Sequence, residues 1–145
     1  AIISRDNART PMQWSDEANA GFTTGTPWLK VNPNYTSINA ASQTGDPESV
    51  RSFYKKLIAL RKDPEYKETI VYGDFEPLWE TRRNLMAYCR QGDKLLFVIG
   101  NYRKYDQSVT LLYPDKKVLL NNYPDIDEEG KTISLYGYQV LILEM

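Results

Sequence analysis

From Phe75 onward, apolar residues recur at every second position in short runs broken by turn signals. Such alternation turns one face of an extended strand inward and the other outward. Candidate strands are Phe75 to Trp79, Asn84 to Arg90, Leu95 to Asn101, Gln107 to Leu111, Val118 to Leu120, Thr132 to Leu135 and Gln139 to Glu144. Gln91-Gly92-Asp93, Arg103 to Asp106, Pro114-Asp115 and Pro124 to Gly130 read as the turns between them. Short strands at this spacing predict a mainly β fold, an antiparallel β-sandwich of Greek-key type. Tyr88, Phe97, Tyr136 and Tyr138 alternate as core residues should. Cys89, in the run Leu85-Met86-Ala87-Tyr88-Cys89, reads as a small buried hydrophobe.

The first half follows a different grammar. Residues 1 to about 45 show neither period, yet Trp14, Phe22, Trp28 and Tyr35 are spaced through them. Disordered segments are poor in aromatics, so this stretch reads as an ordered functional loop lying on a larger body. A helix is expected over 46–62. Asp46 suits the N-cap, Pro47 the first helical position, and Asp63-Pro64 the stop. Val50, Phe53, Tyr54, Leu57 and Ile58 form one apolar stripe. Burying each such side chain stabilises by roughly 1.5–3 kcal/mol. One face of the sandwich could cover the stripe, the loop has too few aliphatics to do so, and the simplest expectation is a partner outside these residues. The start, Ala1-Ile2-Ile3-Ser4, has no initiator methionine and reads as if cut from something longer.

Composition narrows the function. The net charge of -1 shows no basic excess for a nucleic acid. No window holds the eighteen or so unbroken apolar residues of a membrane span. With no histidine, Ser-His-Asp and Cys-His sites and the common zinc sites are excluded. No metal site and no cofactor is expected. One cysteine permits no internal disulfide, which favours a reducing, cytoplasmic setting.

Ser4-Arg5-Asp6-Asn7-Ala8-Arg9-Thr10-Pro11-Met12-Gln13-Trp14 resembles a signature block of oligo-1,6-glucosidases and dextran glucosidases, within the α-amylase superfamily (glycoside hydrolase family 13). The likeness continues through Asn19-Ala20-Gly21-Phe22, Pro27-Trp28, Val31 to Tyr35, Ser52 to Arg61 and Tyr72-Gly73-Asp74. It implies a (β/α)8 catalytic barrel, mostly upstream, followed by a C-terminal all-β domain. Residues 1–70 would end the barrel, with its active-site loop and last helix, and 71–145 would form the β domain.

The resemblance also bears on the chemistry. Retaining glycosidases use two carboxyl groups roughly 5–5.5 Å apart. In the family these, and a third carboxylate, come from upstream strands. The nucleophile follows Gly-Phe-Arg-x-Asp and the third sits in a His-Asp pair. Here the sole Arg-x-Asp is Arg61-Lys62-Asp63, without Gly-Phe before it. No catalytic residue is therefore assigned, and this stretch alone is expected to be inactive. Glu48, Glu65, Glu68 and the run Asp125 to Glu129 read as solvated surface or turn. The resemblance gives an arginine of the block the 4-hydroxyl of the terminal glucose and an upstream aspartate as partner. Arg9 is favoured, then Arg5, with Asp6 and Asn7 orienting the guanidinium or closing the loop. Trp14, Phe22 and Trp28 read as loop anchors against the barrel ahead of sugar platforms. The expected partners are an oligosaccharide and the upstream barrel of the same protein. Rival readings are a stand-alone carbohydrate-binding module, a fragment of a sucrose isomerase or trehalulose synthase, or an interaction domain that recruits a partner through the helix stripe.

Overall fold

A computed structural model describes residues 5–145, excluding the side chains of Arg5 and Asn7. The chain divides into two compact units, Ala1–Tyr54 and Lys55–Met145.

Before residue 50 the described backbone forms short 3-10 helices at Arg5–Ala8, Ala18–Gly21 and Pro33–Thr36, and isolated turns. The aperiodic sequence thus becomes an ordered loop, as expected. Helix α1, Val50–Lys62, runs across the division between the units. It starts four residues later than Asp46, and the caps explain why. Asp46 Oδ1 accepts from the Glu48 amide at 2.9 Å, closing a local turn. Ser49 Oγ instead accepts from the Ser52 amide at 3.2 Å, so Ser49 holds the N-cap position. None of α1 is buried, and Val50 and Ile58 remain 67% and 50% exposed. A second helix that the periodicity did not signal, α2, Lys67–Tyr72, follows. At six residues it is too short to show an apolar period.

The second unit carries eight strands. They are β1 Asp74–Leu78, β2 Leu85–Gln91, β3 Leu95–Asn101, β4 Gln107–Thr110, β5 Lys117–Asn121, β6 Asp127–Glu129, β7 Thr132–Leu135 and β8 Val140–Glu144. All pair antiparallel, in a five-stranded sheet of order β1-β2-β3-β8-β5 and a three-stranded sheet of order β4-β7-β6. Because β8 lies between β3 and β5, the connections are of Greek-key type. Leu85, Ala87 and Cys89 of β2, Phe97 and Ile99 of β3, Val109 of β4, Ile133 and Leu135 of β7, and Leu141 and Leu143 of β8 turn inward to one core. The period of two placed them there.

Two expectations are corrected. Residues 127–129 are not a turn: they pair with β7, and their three exposed carboxylates are the kind of charge that protects a sheet edge. Tyr138 is not a core residue. Its φ of 65° breaks the alternation and leaves it exposed, while Gln139 is fully buried. The Gln139 amide is satisfied by the Tyr136 amide, Asn121 Oδ1 and the Asp125 carbonyl.

Charged groups link the turn before α2 to the five-stranded sheet. Lys94 Nζ reaches Glu144 Oε1 at 2.6 Å and Glu65 Oε1 at 2.8 Å. Those bonds hold both carboxyls below the usual carboxylate range, and the pair of carboxylates raises the Lys94 ammonium. A half-open apolar cavity of about 440 Å³ lies among Leu57, Leu60, Ile70, Phe75, Val98 and Ile142.

Candidate functional site

The loop that carries the expected sugar-binding residues is held by polar contacts in place of a hydrophobic core. Arg9 donates its amide to the Asp6 carbonyl at 3.0 Å, closing the first 3-10 turn. The side chains of Arg9 and Asp6 are both exposed. Those of Arg5 and Asn7 lie outside the described residues. The structure thus brings Asp6 and Arg9 to one turn.

Beyond it, Pro11 is buried and the chain enters a clamp. Gln13 Nε2 donates to Asn34 Oδ1 at 2.9 Å and to the Ile38 carbonyl. The Gln13 and Trp14 carbonyls accept from the amides of Ala40 and Ala41, both at 2.9 Å. Asn39, itself buried, ties the far side by donating to the Tyr35 carbonyl and accepting from the Ser42 amide. On the near side, the Trp14 and Ser15 amides both donate to the Ala20 carbonyl.

Three consecutive residues make that last contact possible. Asn19, Ala20 and Gly21 have φ of 56°, 61° and 66°, the left-handed region that L-residues seldom enter. Asn19 offsets the strain by donating to the Thr23 and Gly25 carbonyls. At Gly21 a Cβ would sit 2.5 Å from Ser15 Oγ, which would have to rotate away, and the φ of 66° itself favours glycine there. Sequence reasoning weighed the arginines and aromatics but missed Gln13, Asn19 and Asn39 as the framework. The Asn-Ala-Gly tripeptide was the available signal.

The loop's aromatics stand uncovered, with Trp28 96% exposed and Trp14 and Phe22 about half exposed. Asp63 Oδ1 accepts from the Glu65 amide at 2.9 Å, the contact of a turn former at a helix end. Among the described residues no group of three His, Cys, Asp or Glu side chains could hold a metal. No described helix is long and apolar enough to cross a membrane.

Known proteins resemble this chain strongly. A family model described as the alpha-amylase catalytic domain matches residues 1–73. An oligo-1,6-glucosidase of Parageobacillus thermoglucosidasius is 43% identical over 97% of the chain and 26% of its own length. Crystal structures of the Bacillus licheniformis trehalose-6-phosphate hydrolase and of a trehalulose synthase variant superpose with TM-scores of 0.88 and 0.87. Both are 41% identical, over 97% and 98% of this chain and 26% of theirs. The chain therefore spans about a quarter of the length of the relatives it matches.

Proposed function

Since the chain belongs to the α-amylase family, we propose that it is the C-terminal portion of a retaining, exo-acting α-glucosidase that removes terminal α-1,6- or α-1,4-linked glucose from oligosaccharides. One observation carries this reading. Val50, Tyr54 and Ile58 of the α1 stripe stand exposed inside the very region that matches a catalytic-domain family. A helix with a bare apolar stripe needs a surface to cover it. The strands of a (β/α)8 barrel encoded upstream supply one.

The domain division follows. Residues 1–70 close the barrel, and 71–145 form the C-terminal all-β domain. The match to the catalytic family ends at residue 73, next to Asp74, where β1 begins. The uncovered Trp14, Phe22 and Trp28 rest on that barrel.

Catalysis then belongs to upstream carboxylates, and these residues position the substrate. Arg9, on one turn with Asp6, extends its guanidinium to the terminal glucose and to an upstream aspartate; Arg5 and Asn7 assist. A planar fork of donors can hold a carboxylate and a sugar hydroxyl together, and closing the pocket beyond the terminal ring enforces exo action. The hydrolase and the synthase match the same stretch at equal identity. This supports assigning the choice of reaction to residues outside it. The partners are an oligosaccharide and the barrel of the same protein. A cytoplasmic setting is supported by the buried free thiol of Cys89.

Hydrolysis of p-nitrophenyl α-glucoside tests the proposal. The 145-residue chain should give none. In the full-length protein Arg9→Ala should lower kcat/KM at least about 10–100-fold, the worth of a hydrogen bond to a charged group. Turnover by the chain alone, abolished by one carboxylate substitution, would refute the reading. Unchanged kinetics for Arg9→Ala would remove Arg9 from the site.

A further inference from the structure

A second cleft, at the β1 edge of the sandwich core, has no part in the glucosidase reading. Three strands cannot cover the inner face of five, and the uncovered part leaves a space of about 290 Å³. Leu78, Trp79, Phe97, Leu111 and Tyr113 form its apolar and aromatic walls, and Glu76 adds a carboxylate.

The carboxylate is positioned. Glu76 pairs with Cys89 in the β1–β2 register, and the Cys89 thiol donates to Glu76 Oε2 at 3.9 Å. Burial, with the nearby carboxylate, pushes the thiol pKa up, so the sulfur keeps its proton and remains a donor. None of the ion pairs among the described residues involves Glu76. The indole is positioned as well. Trp79 has φ 51°, and its ring stands edge-on to Phe97 with centroids 5.5 Å apart. Arg82 lies over the Trp79 ring at 5.9 Å and donates to the Ser108 carbonyl at 3.1 Å.

An apolar cleft with a few convergent polar groups is the general form of a small-molecule site. A carboxylate outside the described ion pairs, beside the Phe97 and Tyr113 rings while Arg82 lies over Trp79 alone, selects a positive head on an apolar body. We propose that this cleft binds a small organic ammonium ion with an aromatic or branched aliphatic body. The body fills the space between Leu78, Leu111 and Phe97, and the ammonium meets Glu76.

The probe is benzylammonium, titrated against a Trp14→Phe/Trp28→Phe chain in which Trp79 is the only indole left. Its emission should change saturably, with Kd on the order of 1 mM. Glu76→Gln, isosteric and on an exposed strand, should weaken binding about 10-fold. Benzyl alcohol, of the same shape but neutral, should bind about 10-fold more weakly, and this comparison needs no further variant. No saturable change, equal affinity for the alcohol, or no effect of Glu76→Gln would each overturn the proposal. So would a concentration-dependent dimer dissolved by benzylammonium, which would give the cleft to a second copy. No hydrolysis enters the readout, so the result is independent of the glucosidase reading.

Discussion

The Tyr66 hydroxyl donates to Glu144 Oε2 at 2.9 Å across 78 positions of sequence and accepts from Lys117 Nζ at 2.8 Å. Tyr66 is buried and the bond ties the turn before α2 to β8. Tyr66→Phe keeps the ring and removes the hydroxyl alone. It should cost about 1–2 kcal/mol in urea unfolding, since Glu144 retains Lys94 as a partner. A loss below about 0.3 kcal/mol would show the network to be decoration.

The same cluster sets a pH dependence. Glu144 and Glu65 titrate below their ordinary range, chiefly through the bond each makes with Lys94. A carboxyl whose folded pKa is depressed contributes fully above its unfolded value, about 4.3, and that contribution fades as pH falls. Lys94 is raised by the same bonds, so its share is full below the ordinary lysine value of about 10.4 and is lost as pH rises through the folded pKa. The midpoint of thermal unfolding should therefore be flat near neutrality and fall at both ends. Glu144→Gln should flatten the acid limb. An identical acid limb in that variant would place the titration elsewhere.

Ile133 and Leu141 are fully enclosed in the sandwich core. Alanine at either site should destabilise by about 2–5 kcal/mol, the range for emptying a packed aliphatic site. Equilibrium unfolding monitored by far-UV circular dichroism reads the loss.

At Gly137 a Cβ would meet the Lys104 carbonyl oxygen at 2.4 Å. Its amide also donates to Asp106 Oδ1 at 3.1 Å. Gly137→Ala should cost about 1–3 kcal/mol, since backbone on both sides must shift. Gly130 is the contrast: nothing lies within 4 Å of its Cβ position. Alanine there meets only the strain of φ 61° and should cost less.

The bare stripe of α1 gives a test in two settings. Tyr54→Gln with Ile58→Gln should leave the unfolding free energy of the 145-residue chain within about 0.5 kcal/mol, because both side chains already face solvent. Light scattering should show less self-association. In the full-length protein the same pair should cost several kcal/mol, about 1.5–3 for each buried side chain. A large loss in the chain alone would show that the stripe is sheltered there.

The strands were legible because one face of each is buried, and burial writes a period of two into the sequence. That holds for β2, β7 and β8, whereas β3, buried on both faces from Leu96 to Asn101, was legible as a continuous apolar run. It fails for β6, whose three residues are all exposed and carry no alternation. Tyr138 misled for a related reason: one left-handed residue shifts the phase of alternation, and no side-chain pattern reports a φ of 65°. The start of α1 was misplaced because Asp46-Pro47 and Ser49 all carry cap signals, and hydrogen-bond geometry alone chooses Ser49. In the loop, Arg9 stood out by type. Gln13 and Asn39 did not, because an amide that clamps a backbone looks the same in sequence as one exposed to water.

The position of β8 has a consequence for how this domain assembles. In the five-stranded sheet β5 has one neighbour, and it is β8. Once synthesised, β5 must wait unpaired until Val140–Glu144 threads between it and β3. Such long-range closure slows folding and makes it cooperative. Deleting those five residues should therefore release β5 and leave β3 with one open edge, and sequestering them with a competing peptide would stall the domain half-built.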